Sequence, residues 1–331
     1  MGRDGPPGGR KRWGGLVRLA ISVVVLGWLA GRVEWGQLGR VLSAVRFEYC
    51  FAALAVYSLA QLVSSYRWLV LSRALGFTDR WPRYVALYYV GMFFNLFLPT
   101  AIGGDVVRAW CLAGGPGRRG KALLSVISER LSGLLALLAL GCLAGCARPA
   151  AVPWWAVGLV WLIAAGAAGG LVALPALGRW SAPARALAEG LCLFRGQRRR
   201  WAAAFGLSLI VQAASFVEVW LLARGLGLPV SFLAFAVVVP LVTLLTMLPV
   251  SVNGVGVREG SLAVLLGPAG VGPAEALTLG VLWFCMLGVA SLFGGVVYLL
   301  GRFSPGELKD AYGPVGGDSD QGRTGQPQAA A

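Results

Sequence analysis

A chain of 331 residues with 57% hydrophobic and only 13% charged positions is not a soluble globule, in which about 25% of residues are charged. The absence of His removes His-based acid–base catalysis, Ser-His-Asp and Cys-His nucleophilic sites, and His-ligated metals. A net charge of +15 would suggest nucleic acid in a soluble protein, but here Lys and Arg sit at the ends of apolar segments, as the positive-inside rule expects of membrane spans.

Residues 1–15 are Gly/Pro-rich and basic, which predicts a disordered cytoplasmic tail. The apolar run 16–31 has a signal-peptide-like basic flank. No small-x-small cleavage site follows it and further spans do, so it reads as a first span. A second span covers 49–71, with Arg67 in its last turns. Arg73, Arg80 and Arg83 then mark a cytoplasmic connection.

The short apolar segment 84–98 runs into Leu98-Pro99-Thr100-Ala101-Ile102-Gly103-Gly104-Asp105-Val106-Val107-Arg108. A full crossing there would leave Arg118, Arg119 and Lys121 outside, against the positive-inside rule. A hairpin that goes halfway, breaks over 99–104 and returns as a half-helix over 105–113 keeps them inside.

A full span follows over 122–145, carrying Ser128-Glu129-Arg130. Residues 153–177 return to a basic inner loop over 178–200, and 201–223 lead out again with Glu218 inside the span. The segment 230–248 enters from outside, breaks over 249–256 at Pro249, and turns back as a half-helix over 257–266. Its connection, 267–273, has no Lys or Arg, as an outer loop should. The last span, 274–300, ends inward at Arg302 and Lys309, and 303–331 predicts a second disordered tail.

The expected fold is an all-α polytopic membrane protein with about six full spans plus two broken re-entrant hairpins. One membrane domain covers 16–302 in the cell membrane, with both termini cytoplasmic. The six Cys are scattered, and Cys142 and Cys146 form CxxxC in an apolar run. Their expected role is as small buried hydrophobes rather than metal ligands, and no metal or cofactor is expected.

The second break, Leu248-Pro249-Val250-Ser251-Val252-Asn253-Gly254-Val255-Gly256-Val257-Arg258, repeats the first 150 positions later. The preceding spans also match: Gln61 with Gln212, Ser64 with Ser215, and Arg73 with Arg224. The halves, about 49–146 and 201–301, therefore read as an inverted repeat, one hairpin opening inward and the other outward. Paired interruptions of this kind point to a transporter binding site, because unwound backbone at membrane depth must be satisfied by protein, water or ligand.

Each returning half-helix aims a partly positive N-terminus at the midplane, with Arg108 and Arg258 in the first turns. These features predict an anion site, and phosphate suits it because Arg binds phosphate bidentately. Arg108, Arg258, Gly103, Gly104, Asn253 and Gly254 are the expected contacts to a lipid phosphate. Asp105, Glu129, Arg130 and Glu259 are the supporting charges, and Pro99 and Pro249 are the hairpin breaks. The alternative for the two Arg residues is structural pairing, Arg108 with Asp105 and Arg258 with Glu259 or Glu129. Glu129 and Arg130 are sequence neighbours on different helix faces, so each needs a partner elsewhere. Arg67 and Glu218 are repeat counterparts near span ends, where snorkelling to the interface is expected.

At these residues the chain resembles the lysylphosphatidylglycerol synthase transmembrane, or flippase-like, family. The similarity is carried by Asn95-Leu96-Phe97-Leu98-Pro99 with Gly103 to Arg108, by Ser128-Glu129-Arg130-Leu131-Ser132-Gly133-Leu134, and by Leu248 to Gly260. The resemblance implies movement of phospholipids or related anionic lipids between leaflets. In bifunctional relatives a soluble aminoacyl-transfer domain follows. Only a tail of about 30 residues follows the last span here, so lysine transfer is not expected.

The leading expectation is therefore a lipid flippase for an anionic phospholipid or lipid-linked phosphate, working by translocation rather than chemistry. One alternative is a membrane-embedded transferase on a lipid phosphate with Asp105 or Glu129 as base. Another is a non-catalytic scaffold for a lipid-modifying enzyme. Expected partners are membrane lipids, such an enzyme, or a second copy of the chain, and not nucleic acid.

Overall fold

The structure is a computed structural model that describes residues 45–97, 103–147, 149, 151–192, 195–248, 250–251 and 253–300. The expected first span, both tails and the two break prolines, Pro99 and Pro249, lie outside the described residues. Among the described residues the chain is helical throughout: α1 (Phe47–Ala74), α2 (Trp81–Phe97), α3 (Gly103–Ala113), α4 (Arg119–Cys146) and α5 (Trp154–Leu177), then α6 (Ala182–Cys192), α7 (Arg198–Gly225), α8 (Phe232–Met247), α9 (Val257–Leu266) and α10 (Pro273–Leu300).

Length sorts these helices. Five stretches are long and apolar enough to cross a membrane: α1, α4 with its leading turn from Pro116, α5, α7 and α10. At 1.5 Å per residue, 28 residues reach about 42 Å, more than the hydrocarbon thickness of about 30 Å. The ten and eleven residues of α9 and α3 reach only about 15–17 Å, roughly half of it. Both are the second arms of apolar helix pairs, α2 against α3 and α8 against α9.

The equivalent helices α1 and α7 make the most extensive helix–helix contact, and they run antiparallel. At one end the Arg46 N–H donates to the Gly225 carbonyl (3.0 Å), and at the other Arg200 Nη1 donates to the Arg73 carbonyl (3.2 Å). Their C-termini also close identically. Phe77 N–H returns to the Ser72 carbonyl past Gly76 (φ 90°), and Leu228 N–H returns to the Ala223 carbonyl past Gly227 (φ 74°). Glycine accepts this left-handed conformation at no steric cost, and the buried Phe77 and Leu228 seal each turn.

Exchanging α1–α4 for α7–α10 preserves which helices touch. Thus α2 meets α10 as α8 meets α4, and α3 meets α4 as α9 meets α10. The buried side chains form two clusters. One is centred on α8, whose residues from Ala234 to Val242 are all buried, and the other on Trp68, Tyr84 and Leu112 of α1, α2 and α3. Helix α5 stands outside this scheme and buries only Ala156 and Val160, leaving Trp154, Trp155, Trp161 and Leu162 exposed. An apolar helix with so little buried is one that faces lipid.

Within the basic connection 178–200 the chain forms α6, where Ala, Leu, Arg and Glu, all strong helix formers, make up most of Ala182–Cys192.

Candidate functional site

Helix α2 is gripped from both sides by small residues. A Cβ at Gly104 of α3 would collide with the Gly91 carbonyl of α2 and come within 2.8 Å of Asn95 Cγ. One at Gly294 of α10 would collide with the Tyr89 carbonyl. Small residues let backbones approach this closely in a bundle that lacks a hydrophobic drive between helices. Asn95 uses the approach: its Oδ1 accepts from Gly104 N–H at 2.8 Å and ties α2 to the start of α3. On the other side Asn253, at φ 52°, donates through Nδ2 to the Leu96 carbonyl at 2.7 Å. The entry to the second half-helix therefore touches the last turn of α2.

Beside this junction lies a cavity of about 380 Å³ lined by residues of α1, α2, α4, α7, α8, α9 and α10. Its charged wall is Arg67, Glu129, Arg130 and Arg258. Amides come from Gln61, Asn95, Gln212 and Asn253, and hydroxyls from Tyr57, Ser64, Tyr88, Thr243, Thr246 and Ser291.

The charges of the first half form an alternating chain. Arg67 Nη2 lies 2.7 Å from Glu129 Oε1, and Glu129 Oε2 lies 2.7 Å from Arg108 Nη2. Arg108 Nε and Nη2 reach Asp105 Oδ1 at 3.0 and 2.9 Å, and Asp105 Oδ2 is 2.7 Å from Arg130 Nη2. Tyr88 OH donates to Glu129 Oε1 (3.2 Å), and Arg67 Nη1 donates to Ser208 Oγ of α7 (3.0 Å). The Arg108 guanidinium also packs over the Trp68 and Tyr88 rings, each 4.7 Å away. Arg67, Arg108 and Glu129 are at most 5% exposed, whereas the Arg130 side chain is 47% exposed. Three guanidinium groups share two carboxylates, so one positive charge is left over, and Arg130 carries it toward the cavity.

The second half is built differently. Arg258 is buried, 5.4 Å from the Trp283 and Phe284 rings, and its Nη1 has no hydrogen-bond partner. Glu259 does not pair with it. Its Oε2 instead accepts from Gly256 N–H at 2.6 Å and caps α9. Gly254, at φ 73°, presses on Thr246 Cβ, 2.7 Å from where its own Cβ would stand.

Several sequence expectations change here. Both half-helix starts already carry protein acceptors, Asp105 at α3 and Glu259 at α9, so helix dipoles alone do not make the anion site. Arg108 lies beneath the cavity rather than in its lining, enclosed by two carboxylates and two rings. Gly103 opens α3 and Gly104 serves the close approach to α2, again behind the lining. Arg258, Asn253, Glu129 and Arg130 do line the cavity. Snorkelling of Arg67 and Glu218 is overturned, since they are only 5% and 2% exposed. The helices carrying them extend to Ala74 and Gly225, so these residues lie two turns inside and face the bundle. The polar pair Gln61 and Gln212 was visible as a repeat match without being read as cavity lining. Amides at mid-span were the signal.

A multi-pass helical bundle with two half-length hairpin arms and a charge-lined central cavity is the class of protein defined by this fold and site. Residues 15–294 match the family model for the lysylphosphatidylglycerol synthase TM region, and the chain belongs to that family. It is a membrane protein with a lipid-related function. A comparison with curated proteins finds no match.

Proposed function

We propose that the protein moves an anionic lipid between leaflets, with the headgroup in the central cavity and the acyl chains left in the bilayer. The observation that carries this reading is the buried Arg258. It lines the cavity together with Arg130 and Arg67 of the other half, forms no ion pair among the described residues, and leaves its Nη1 without a hydrogen-bond partner. A cavity of about 380 Å³ is at the small end of ligand sites and matches a headgroup rather than a whole lipid. Arg258 and Arg130 are the phosphate contacts in this scheme. Gln61, Gln212 and Asn253 supply neutral hydrogen bonds, and Arg108 holds Glu129 and Asp105 in place.

Alternating access follows from treating the halves as an inverted repeat. The antiparallel pairing of the equivalent helices α1 and α7 and the exchangeable helix contacts support that treatment. The basic ends near Arg73, Arg118 and Arg200 then lie on the cytoplasmic face of the plasma membrane, with both termini on that side.

A leaflet-resolved assay tests this. Purified protein is reconstituted into liposomes containing a headgroup-labelled anionic phospholipid, and a membrane-impermeant quencher reads the outer leaflet over time. Protein-dependent exchange that favours the anionic over a zwitterionic probe is expected. Exchange equal to that of protein-free liposomes, or equal for both probes, contradicts the proposal.

A further inference from the structure

Glu218 is a buried acid of α7 that the lipid scheme leaves unused. It is 2% exposed, and its Oε1 has no hydrogen-bond partner. Among the described residues it joins no ion pair. The charged or titratable groups within electrostatic range of it are Arg258 of α9 and Tyr57 of α1. The other neighbouring elements offer little. Helix α8 contains no titratable residue, Glu259 of α9 is engaged by Gly256, and Glu275 at the start of α10 caps Gly272. Glu129 and Arg130 of α4 lie level with Ser208, about 15 Å along α7 from Glu218.

The repeat explains why this acid is there. Glu218 is the counterpart of Arg67, and Arg258 is the counterpart of Arg108. In the first half a third residue, Glu129, bridges the two Arg residues. In the second half the place of Arg67 is taken by an acid, and Glu218 and Arg258 are each buried with an atom that has no hydrogen-bond partner, within electrostatic range of one another and of Tyr57. A carboxylate and a guanidinium both unpaired at membrane depth are costly. Two arrangements remove that cost. An ionised Glu218 can neutralise Arg258, or Glu218 can take a proton while another anion neutralises Arg258.

We propose that Glu218 is a proton-binding site that exchanges with the lipid phosphate for Arg258, so that one proton is bound with each anionic headgroup. This rests on the headgroup reading above and adds an activity to it, electroneutral co-transport of protons with anionic lipid. When the site is empty, the Glu218 carboxylate is the counter-ion of Arg258. When the phosphate arrives, it takes over Arg258, and the displaced carboxylate is protonated from water rather than left as an unpaired charge beside a second anion. In a membrane carrying a pH gradient, protons and lipid therefore cross in the same direction. In the first half Arg67, Glu129, Arg108, Asp105 and Arg130 each already have an ion-pair partner, and the surplus positive charge sits on the half-exposed Arg130.

The sign follows from linkage. A ligand that binds better to the protonated form raises proton occupancy, and protons raise its affinity by the same factor. The test adds short-chain dioctanoylphosphatidylglycerol, a phosphodiester of fixed single charge, to the detergent-purified full chain in weak buffer with a pH dye. The expected result is proton uptake approaching one per lipid bound. Affinity should fall by up to about tenfold per pH unit on raising the pH across the coupled range. Glu218→Gln should bind with the wild-type's acid-side affinity at every pH and take up no proton.

Lipid binding with pH-independent affinity and no proton uptake in the wild type overturns the coupling and leaves the headgroup site standing. Uptake that persists in Glu218→Gln also overturns it. No binding of the lipid at any pH defeats the headgroup reading and this one together. The wild-type uptake measurement decides the coupling even where the Gln variant fails to fold.

Discussion

Glu129 holds two guanidinium groups from two other helices, Arg67 at 2.7 Å and Arg108 at 2.7 Å, while it is itself 1% exposed. Removing that one carboxylate charge leaves the buried Arg67 with no carboxylate and leaves Arg108 to share Asp105 with Arg130. Glu129→Gln should therefore cost about 3–5 kcal/mol, read as a large drop in thermal unfolding temperature in detergent. Arg130 also pairs with Asp105, but its side chain is 47% exposed. Its replacement by Gln should change stability by only about 0–1 kcal/mol, an exposed pair being worth little, so that any loss of transport belongs to the cavity. At this scale the sequence showed which charges stand in apolar surroundings but not how they are joined. Asp105, Arg108, Glu129, Arg130 and Arg258 all stood out as charges in apolar surroundings. Arg67 was set aside because its apolar run stops at position 71. The helix goes on to Ala74, and Leu75, Gly76 and Phe77 then close it by local hydrogen bonds that hydropathy does not register.

The hairpin α2–α3 is held by backbone proximity more than by side-chain bulk. Gly104→Ala should push α3 off the Gly91 carbonyl and destabilise the protein by about 1–3 kcal/mol, as overpacking does. Gly117→Ala, with no atom within 4 Å of the added methyl, should stay within about 0.5 kcal/mol. The same unfolding measurement reads both. Asn253→Ala loses the bond to the Leu96 carbonyl and should cost about 1 kcal/mol. The half-helices were legible to within two residues, because Gly103-Gly104-Asp105 and Gly254-Val255-Gly256 are helix breakers followed by start signals. The contact between the second break and the end of α2 was not legible. It joins residues 157 positions apart through one side chain and one carbonyl, and no local pattern encodes such a pairing.

For the whole molecule, the repeat and the distribution of basic residues imply opposite orientations for the two hairpins. Pro116 and Gly270 are both exposed at hairpin exits. Single cysteines there, in a background lacking the six native Cys, should react with an impermeant maleimide from opposite sides of sealed vesicles. Labelling of both from one side contradicts the inversion. The helical, multi-span character could be read from sequence because hydropathy is one-dimensional. The cavity could not, because its lining comes from seven helices. The central claim is that Arg258 takes the lipid phosphate, and it is tested most directly by the leaflet-resolved assay on Arg258→Ala. A hydrogen bond to a charged group is worth about 1.5–3 kcal/mol, so anionic-lipid exchange should fall about tenfold or more. The folded yield and the slow background exchange of a zwitterionic probe should stay unchanged. Anionic exchange at the wild-type rate in that variant would contradict the account.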